Sequence, residues 1–121
     1  MNKGNILVVD DEPDICNLVR EILEDEGFEV NLAGNGEEAN IQREKCNPDL
    51  ILLDIWMPDI DGISLLKQWN DAGDLNSLVI MMSGHGTVET AVEATRLGAY
   101  DFLEKPLSLA KLILTIKHAL E

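Results

Sequence analysis

The sequence predicts an α/β fold: a parallel β-sheet covered by helices on both faces. Three observations carry that expectation. Short, fully apolar runs such as Ile6-Leu7-Val8-Val9 and Leu50-Ile51-Leu52-Leu53 have no polar side to show to water, so they read as strands buried on both faces. Between the runs lie stretches whose apolar residues recur with helical spacing. Strand and helix patterns alternate five times, and such alternation requires parallel strands joined by helical crossovers. The 121 residues, 45% of them hydrophobic, make one domain, residues 1–121, with enough core to need no metal or disulfide staple.

Ile6 to Val9 forms the first expected strand and ends at Asp10 and Asp11. Pro13 suits a first helical turn, and Ile15, Leu18, Val19, Ile22 and Leu23 then make a core-facing stripe that Gly27 closes. Phe28 to Ala33 alternates as a shorter strand. Asn35, with Glu38 three residues on, caps a helix to about Cys46, which Asn47-Pro48 breaks. Leu50 to Leu53 is a strand ending at Asp54. After a Pro58 to Gly62 loop, Ile63, Leu65, Leu66 and Trp69 mark a helix whose tryptophan belongs to the core. Leu78 to Met82 is a strand ending at Ser83. Thr87 is expected to cap the next helix, with Val88, Ala91, Val92 and Thr95 as a weak core face and Gly98 at its end. Tyr100 to Leu103 leads to Lys105-Pro106. A last stripe comprises Leu109, Leu112, Ile113, Ile116 and Leu120.

Nine Lys+Arg against 23 Asp+Glu give a formal net charge of −14. That balance argues against direct binding of nucleic acid or an anionic membrane by this domain. No apolar run approaches the roughly 20 residues of a membrane helix, and "MNKGNILVVDDE" is not a secretory signal, so a cytoplasmic setting is expected. Cys16 and Cys46 lack CxxC spacing and read as reduced thiols.

The polar residues that end the apolar runs are Asp10, Asp11, Asp54, Ser83 and Lys105. In an open parallel sheet the carboxyl ends of the strands form the ligand edge, so the fold gathers residues that are far apart in sequence. Clustered carboxylates raise one another's pKa, and a hard divalent cation resolves that repulsion. An oxygen-only donor set favours Mg²⁺ over zinc, with Mn²⁺ able to substitute, and leaves coordination positions open for a phosphoryl oxygen. Lys105 supplies a point charge, Ser83 a hydroxyl, and one carboxylate can serve as nucleophile. "DIDG" at 59–62 reads as a polar turn, "GHG" at 84–86 is too short for a dinucleotide loop, and Glu12, Asp25, Glu37 and Glu38 read as solvated or capping acids.

"ILVVDDEPDI", "DLILLDIWMPDIDGISLL", "VIMMSGHG" and "GAYDFLEKPLSLAKL" together resemble the receiver domain of two-component response regulators, over nearly the whole chain. "SGHGTVETAVEATRLGAYDFLEKP" is most similar to receivers of the nitrogen-regulator type, the sigma-54-dependent activators. The resemblance implies a flavodoxin-like (CheY-like) doubly wound sheet of five parallel strands in the order 2-1-3-4-5, with five helices. It implies that Asp54 accepts a phosphoryl group from a sensor histidine kinase, and that Mg²⁺ is held by Asp10, Asp11, Asp54 and the Trp56 backbone carbonyl. Ser83 and Lys105 would contact the phosphoryl group, Phe102 would be the aromatic switch residue, and Lys105-Pro106 a cis peptide. The face made by the fourth helix, fifth strand and fifth helix would report the state, in a phosphorylation-promoted homodimer or to C-terminal output domains controlling transcription. Leu114 is expected to be exposed there, beside Lys111 and Lys117.

Two departures stand out. Ser83 replaces the commoner threonine, and Trp56 is large for a position that, with His85, flanks the path of the attacking water, so slow dephosphorylation is expected. A free-standing phosphohydrolase would need a second acid where Trp56 stands. A flavin mononucleotide binder would need a Ser/Thr-rich phosphate loop where "DDEPD" stands. A pseudo-receiver would lack the site residues that this chain has.

Overall fold

The computed structural model describes residues 3–73, 75–84 and 88–121. Ten elements alternate without exception: β1 (Asn5–Val9), α1 (Pro13–Asp25), β2 (Glu29–Ala33), α2 (Gly36–Cys46), β3 (Leu50–Asp54), α3 (Gly62–Ala72), β4 (Leu78–Ser83), α4 (Val88–Arg96), β5 (Asp101–Glu104) and α5 (Leu109–Ala119). All strand pairings are parallel, in the order β2-β1-β3-β4-β5. The predicted architecture and strand order are therefore the observed ones.

Strand period 2 divides the core. Ile6, Val8, Leu50, Leu52, Ile80 and Met82 face α1 and α5, where they meet Cys16, Val19, Leu23, Leu112 and Ile116. Leu7, Val9, Ile51, Leu53, Val79 and Met81 face the other way and meet Ala39 of α2, Leu65, Leu66 and Trp69 of α3, and Ala94 of α4. Every side chain of β3 is buried, which accounts for the apolar run Leu50–Leu53 that precedes Asp54.

The helix ends follow local chemistry. Asn35 Oδ1 accepts from the Glu38 N–H at 2.8 Å, and Glu38 reaches back to the Gly34 N–H rather than to Asn35. Asn47 closes α2 in the left-handed region at φ 45°, where Asn is among the residues best tolerated. Asp61 caps α3, accepting from the Ser64 N–H at 2.8 Å. The expected Thr87 cap lies outside the described residues.

Several helical faces are rotated from expectation. In α1 the buried residues are Cys16, Val19 and Leu23, whereas Leu18 is 50% exposed. In α4, Ala94 is the buried residue; Val88, Val92 and Thr95 are exposed. In α5, Leu112 and Ile116 are buried and Leu109 is exposed. Trp69 is buried as expected, its indole N–H donating to Asn40 Oδ1 at 2.8 Å and Arg43 lying over its ring. Leu114 is exposed as expected. Lys117, however, is turned toward the end of α1, 2.7 Å from Glu26, which holds that carboxyl below the usual range.

Candidate functional site

Asp10, Asp54 and Ser83 are the buried polar residues among the described part of the chain, and all three lie at carboxyl ends of β1, β3 and β4. Lys105 follows β5 and joins them. Its Nζ lies 2.7 Å from Asp10 Oδ2, 3.4 Å from Asp54 Oδ1 and 3.5 Å from Glu12 Oε1. Register explains the convergence. Asp54 pairs with Met82 and Ser83 with Glu104, so neighbouring strands deliver their terminal residues to one edge, and the Lys105 N–H donates to the Ser83 carbonyl at 2.9 Å. The Lys105-Pro106 peptide is cis.

Electrostatics set the state of this cluster. Burial, then the neighbouring Asp10 carboxylate, push the Asp54 carboxyl up to about 6, while Lys105 opposes them. Burial pulls the Lys105 ammonium down, but its hydrogen bond and charge contact with Asp10, with help from Asp54 and Glu12, leave it above its ordinary value. Lys105 is thus a fixed cation shared by buried carboxylates, a role that needs an ammonium's compact charge. Asp10 Oδ1 also accepts from the Glu12 N–H at 2.9 Å. The Cys16 thiol donates to the Asp10 carbonyl at 3.2 Å, and burial pushes that thiol up to about 11. Cys16 and Cys46 are free thiols.

Carboxylate oxygens of Asp10, Asp11 and Glu12 lie within 4.8 Å of one another. Asp10 is buried, and the other two are exposed. An all-oxygen, partly solvated donor set of this kind fits a hard divalent cation that retains water. Asp54 does not join that close group; Lys105 stands between it and Asp10. Glu12, read from sequence as a solvated or capping acid, is exposed and stands at the N-cap position of α1, and its carboxylate also lies beside those of Asp10 and Asp11.

The remaining predicted residues surround this edge. Trp56 is 58% exposed on the loop after β3. Phe102 is half-buried against the α3 and α4 side of the core. It also borders a cleft of about 420 Å³ that runs past Pro106 and Lys111. His85 lies outside the described residues. Gly62 packs so closely on the Asp54 carbonyl that a Cβ would overlap it, so the loop between β3 and α3 closes tightly, with the Gly62 N–H donating to Ile55 O at 2.7 Å.

A doubly wound sheet that collects acids and one shared lysine at its carboxyl edge suits a hard cation better than the bare phosphates of a dinucleotide or flavin. The chain belongs to the response regulator receiver domain family, whose pattern matches residues 6–117. It is 44% identical over 119 residues to the nitrogen assimilation regulatory protein NtrX of Azorhizobium caulinodans, covering 97% of this chain and 26% of that protein. Among solved structures, the receiver domain of NtrX from Brucella abortus is 46% identical with a TM-score of 0.87, covering 95% of this chain and 97% of that one. The beryllofluoride-activated NtrC4 receiver domain dimer is 43% identical with a TM-score of 0.88, covering 96% and 95%. The nitrogen-regulator likeness read from the sequence agrees with these relatives. The chain spans about a quarter of the length of curated relatives such as NtrX. Among the described residues no helix is long and apolar enough to cross a membrane.

Proposed function

We propose that this receiver domain accepts a phosphoryl group on Asp54 from a phosphohistidine of a sensor histidine kinase, in the cytoplasm, and passes its state to a transcriptional output. The observation that carries the reading is Asp54 itself: a buried carboxylate at a strand end, 3.4 Å from a lysine that it shares with Asp10. Its carboxyl, raised to about 6, is still mostly ionised at neutral pH and so available as a nucleophile. A carboxylate oxygen of Asp54 forms the new P–O bond as the P–N bond to the donor imidazole breaks, and the imidazole keeps the electron pair and takes a proton. Water attack on phosphorus later returns the carboxylate and inorganic phosphate.

The residues present suit Mg²⁺, with Mn²⁺ as a substitute. Asp10, Asp11 and Asp54, with the Trp56 carbonyl, would hold it, and Glu12 stands within reach of the first two. When bound, the cation supplies charge neutralisation for the phosphoryl oxygens. The chain's own groups do the rest. Lys105 can pair with a phosphoryl oxygen once Asp54 is modified, and Ser83 offers a hydroxyl donor. Phosphorylation adds charge and acceptor oxygens, which favour the arrangement that brings Ser83 and Lys105 close. Phe102, half-buried beside its cleft, would follow that change on the α4-β5-α5 face.

Incubation with acetyl phosphate and Mg²⁺, followed by intact-mass measurement, tests the reading. A gain of one phosphoryl group is expected, and none in Asp54→Asn. An unmodified protein that gains no mass would overturn it.

A further inference from the structure

The loop between β3 and α3, residues 55–61, carries Trp56, and it is tied down at a point that its motif does not advertise. Asp59 Oδ1 accepts from the Gly36 N–H at 2.9 Å and Oδ2 from the Glu37 N–H at 3.0 Å; Oδ1 also accepts from the Ile60 N–H at 3.0 Å. Gly36 and Glu37 are the first residues of α2. One carboxylate therefore occupies two N–H groups that a helix start leaves without intrahelical partners, where the helix dipole favours negative charge. Ile60 seals the same contact, because a Cβ on Gly36 would overlap its Cγ2. Two further N–H groups of this turn are taken by residues of the α2 segment itself: Glu38 holds Gly34, and Asn35 holds Glu38. Asp59 is the cross-link between two loops that are otherwise separate in the chain.

That cross-link sits three residues beyond Trp56, in a loop whose two ends are already fixed by the Gly62–Ile55 hydrogen bond and by Asp61 at the start of α3. Met57 and Ile60 anchor it further against the core. Trp56 lies between the Gly62–Ile55 hydrogen bond and this clamp, with its side chain largely in water, so burial of its own side chain does not fix its backbone. We propose that Asp59 is a positioning residue for the cation site, holding the Trp56 backbone in register with Asp10, Asp11 and Asp54 by bonding the loop to the start of α2. The inference rests on the reading of Asp54 as a Mg²⁺-dependent phosphoacceptor. It assigns a role to an acid that sequence alone leaves as part of a polar turn. The arrangement belongs to the supporting interactions that orient metal ligands, whose loss costs on the order of tenfold or more in metal affinity.

Mg²⁺ titrations followed by the backbone amide resonance of Trp56, with no phosphoryl donor present, provide the test. Asp59→Ala is expected to raise the Mg²⁺ midpoint roughly tenfold and to broaden or shift the Trp56 resonance before any Mg²⁺ is added. Asp59→Asn keeps an acceptor oxygen while losing the charge, so it should fall between the unmodified protein and Asp59→Ala. Equal effects of Asn and Ala, vanishing in 0.5 M salt, would mean that only charge matters, and would overturn the proposal. Asn35→Ala removes a cap at the same helix end without touching the loop. It should lower stability about as much as Asp59→Ala yet leave the Mg²⁺ midpoint in place; a matching midpoint shift there would also overturn it. Absence of any Mg²⁺ response in the unmodified protein would defeat the phosphoacceptor reading and this proposal together. A normal response that Asp59→Ala leaves unchanged would defeat this proposal alone.

Discussion

Burial makes the ionised form of Asp54 costly, and the cost can be measured. Its carboxyl is raised from an ordinary 3.8 to about 6, first by desolvation and then by Asp10. The folded-state value exceeds the unfolded one, so this group's contribution to stability is complete below about 4 and is lost as pH rises through about 6. At pH 7.5 without metal, ionised Asp54 weighs against the fold by on the order of 1–3 kcal/mol. Asp54→Asn keeps the shape, removes the charge and leaves Lys105 its contacts with Asp10 and Glu12. The expected outcome is a metal-free variant more stable than the unmodified domain at pH 7.5, with the gap closing toward pH 4.5. Paired urea unfolding curves at the two pH values check this, and an Asn variant that is weaker at both would contradict it. Two residues on, Trp56 presents a bulky, 58% exposed side chain, which on the proposed phosphoacceptor reading stands in the path of an attacking water. Trp56→Asn is expected to shorten the lifetime of the phosphorylated form severalfold, read as the decay of the added mass after the donor is removed. An unchanged decay rate would dismiss the steric account.

At the scale of elements, apolar runs and turn residues were legible because each is decided locally. Five strands, five helices and the caps at Asn35 and after Cys46 follow from periodicity and from residues that compete for backbone N–H groups. The helical faces of α1, α4 and α5 were less so. A stripe of Ile15, Leu18, Val19, Ile22 and Leu23 spans more than one side of a helix, and the packing partner decides which part is buried. Here Cys16 takes the inward place beside the Asp10 carbonyl, and Leu18 is left outside. In α4 the small side chain of Ala94 lets the helix approach the sheet, which leaves Val88 and Val92 exposed. Valine's hydrophobicity alone points the other way. The site residues at strand ends were legible because a parallel sheet has only one ligand edge. Asp59 was not: its partners Gly36 and Glu37 lie 23 and 22 residues away, and no periodicity records a loop-to-loop bond.

Across the whole molecule, several of the exposed apolar side chains among the described residues lie toward the β5 edge of the sheet, while Leu18, Ile41 and Trp56 lie elsewhere. Val88 and Val92 of α4, Tyr100 before β5 and Leu114 of α5 are all exposed, Val88 at 82% and Leu114 at 55%. Single exposed apolar residues need no explanation, but several on adjoining elements fit a surface that is covered in another state. For this chain, beryllofluoride with Mg²⁺ is expected to raise the sedimenting mass from one copy to two, and Leu114→Asp to keep it at one copy. Net charge adds a second, independent signature. Each copy carries −14, so association must overcome like-charge repulsion that is screened over about 10 Å at 0.1 M salt and about 3 Å at 1 M. A dimer held by these apolar side chains should therefore tighten as salt rises, whereas one held by ion pairs should loosen. Lys117, paired with Glu26 on the α1 side, is not available to supply such pairs without leaving that partner. Sedimentation at both salt concentrations separates the two cases. A beryllofluoride-treated sample that stays at one copy in both would remove this face from the account of how the domain reports its state.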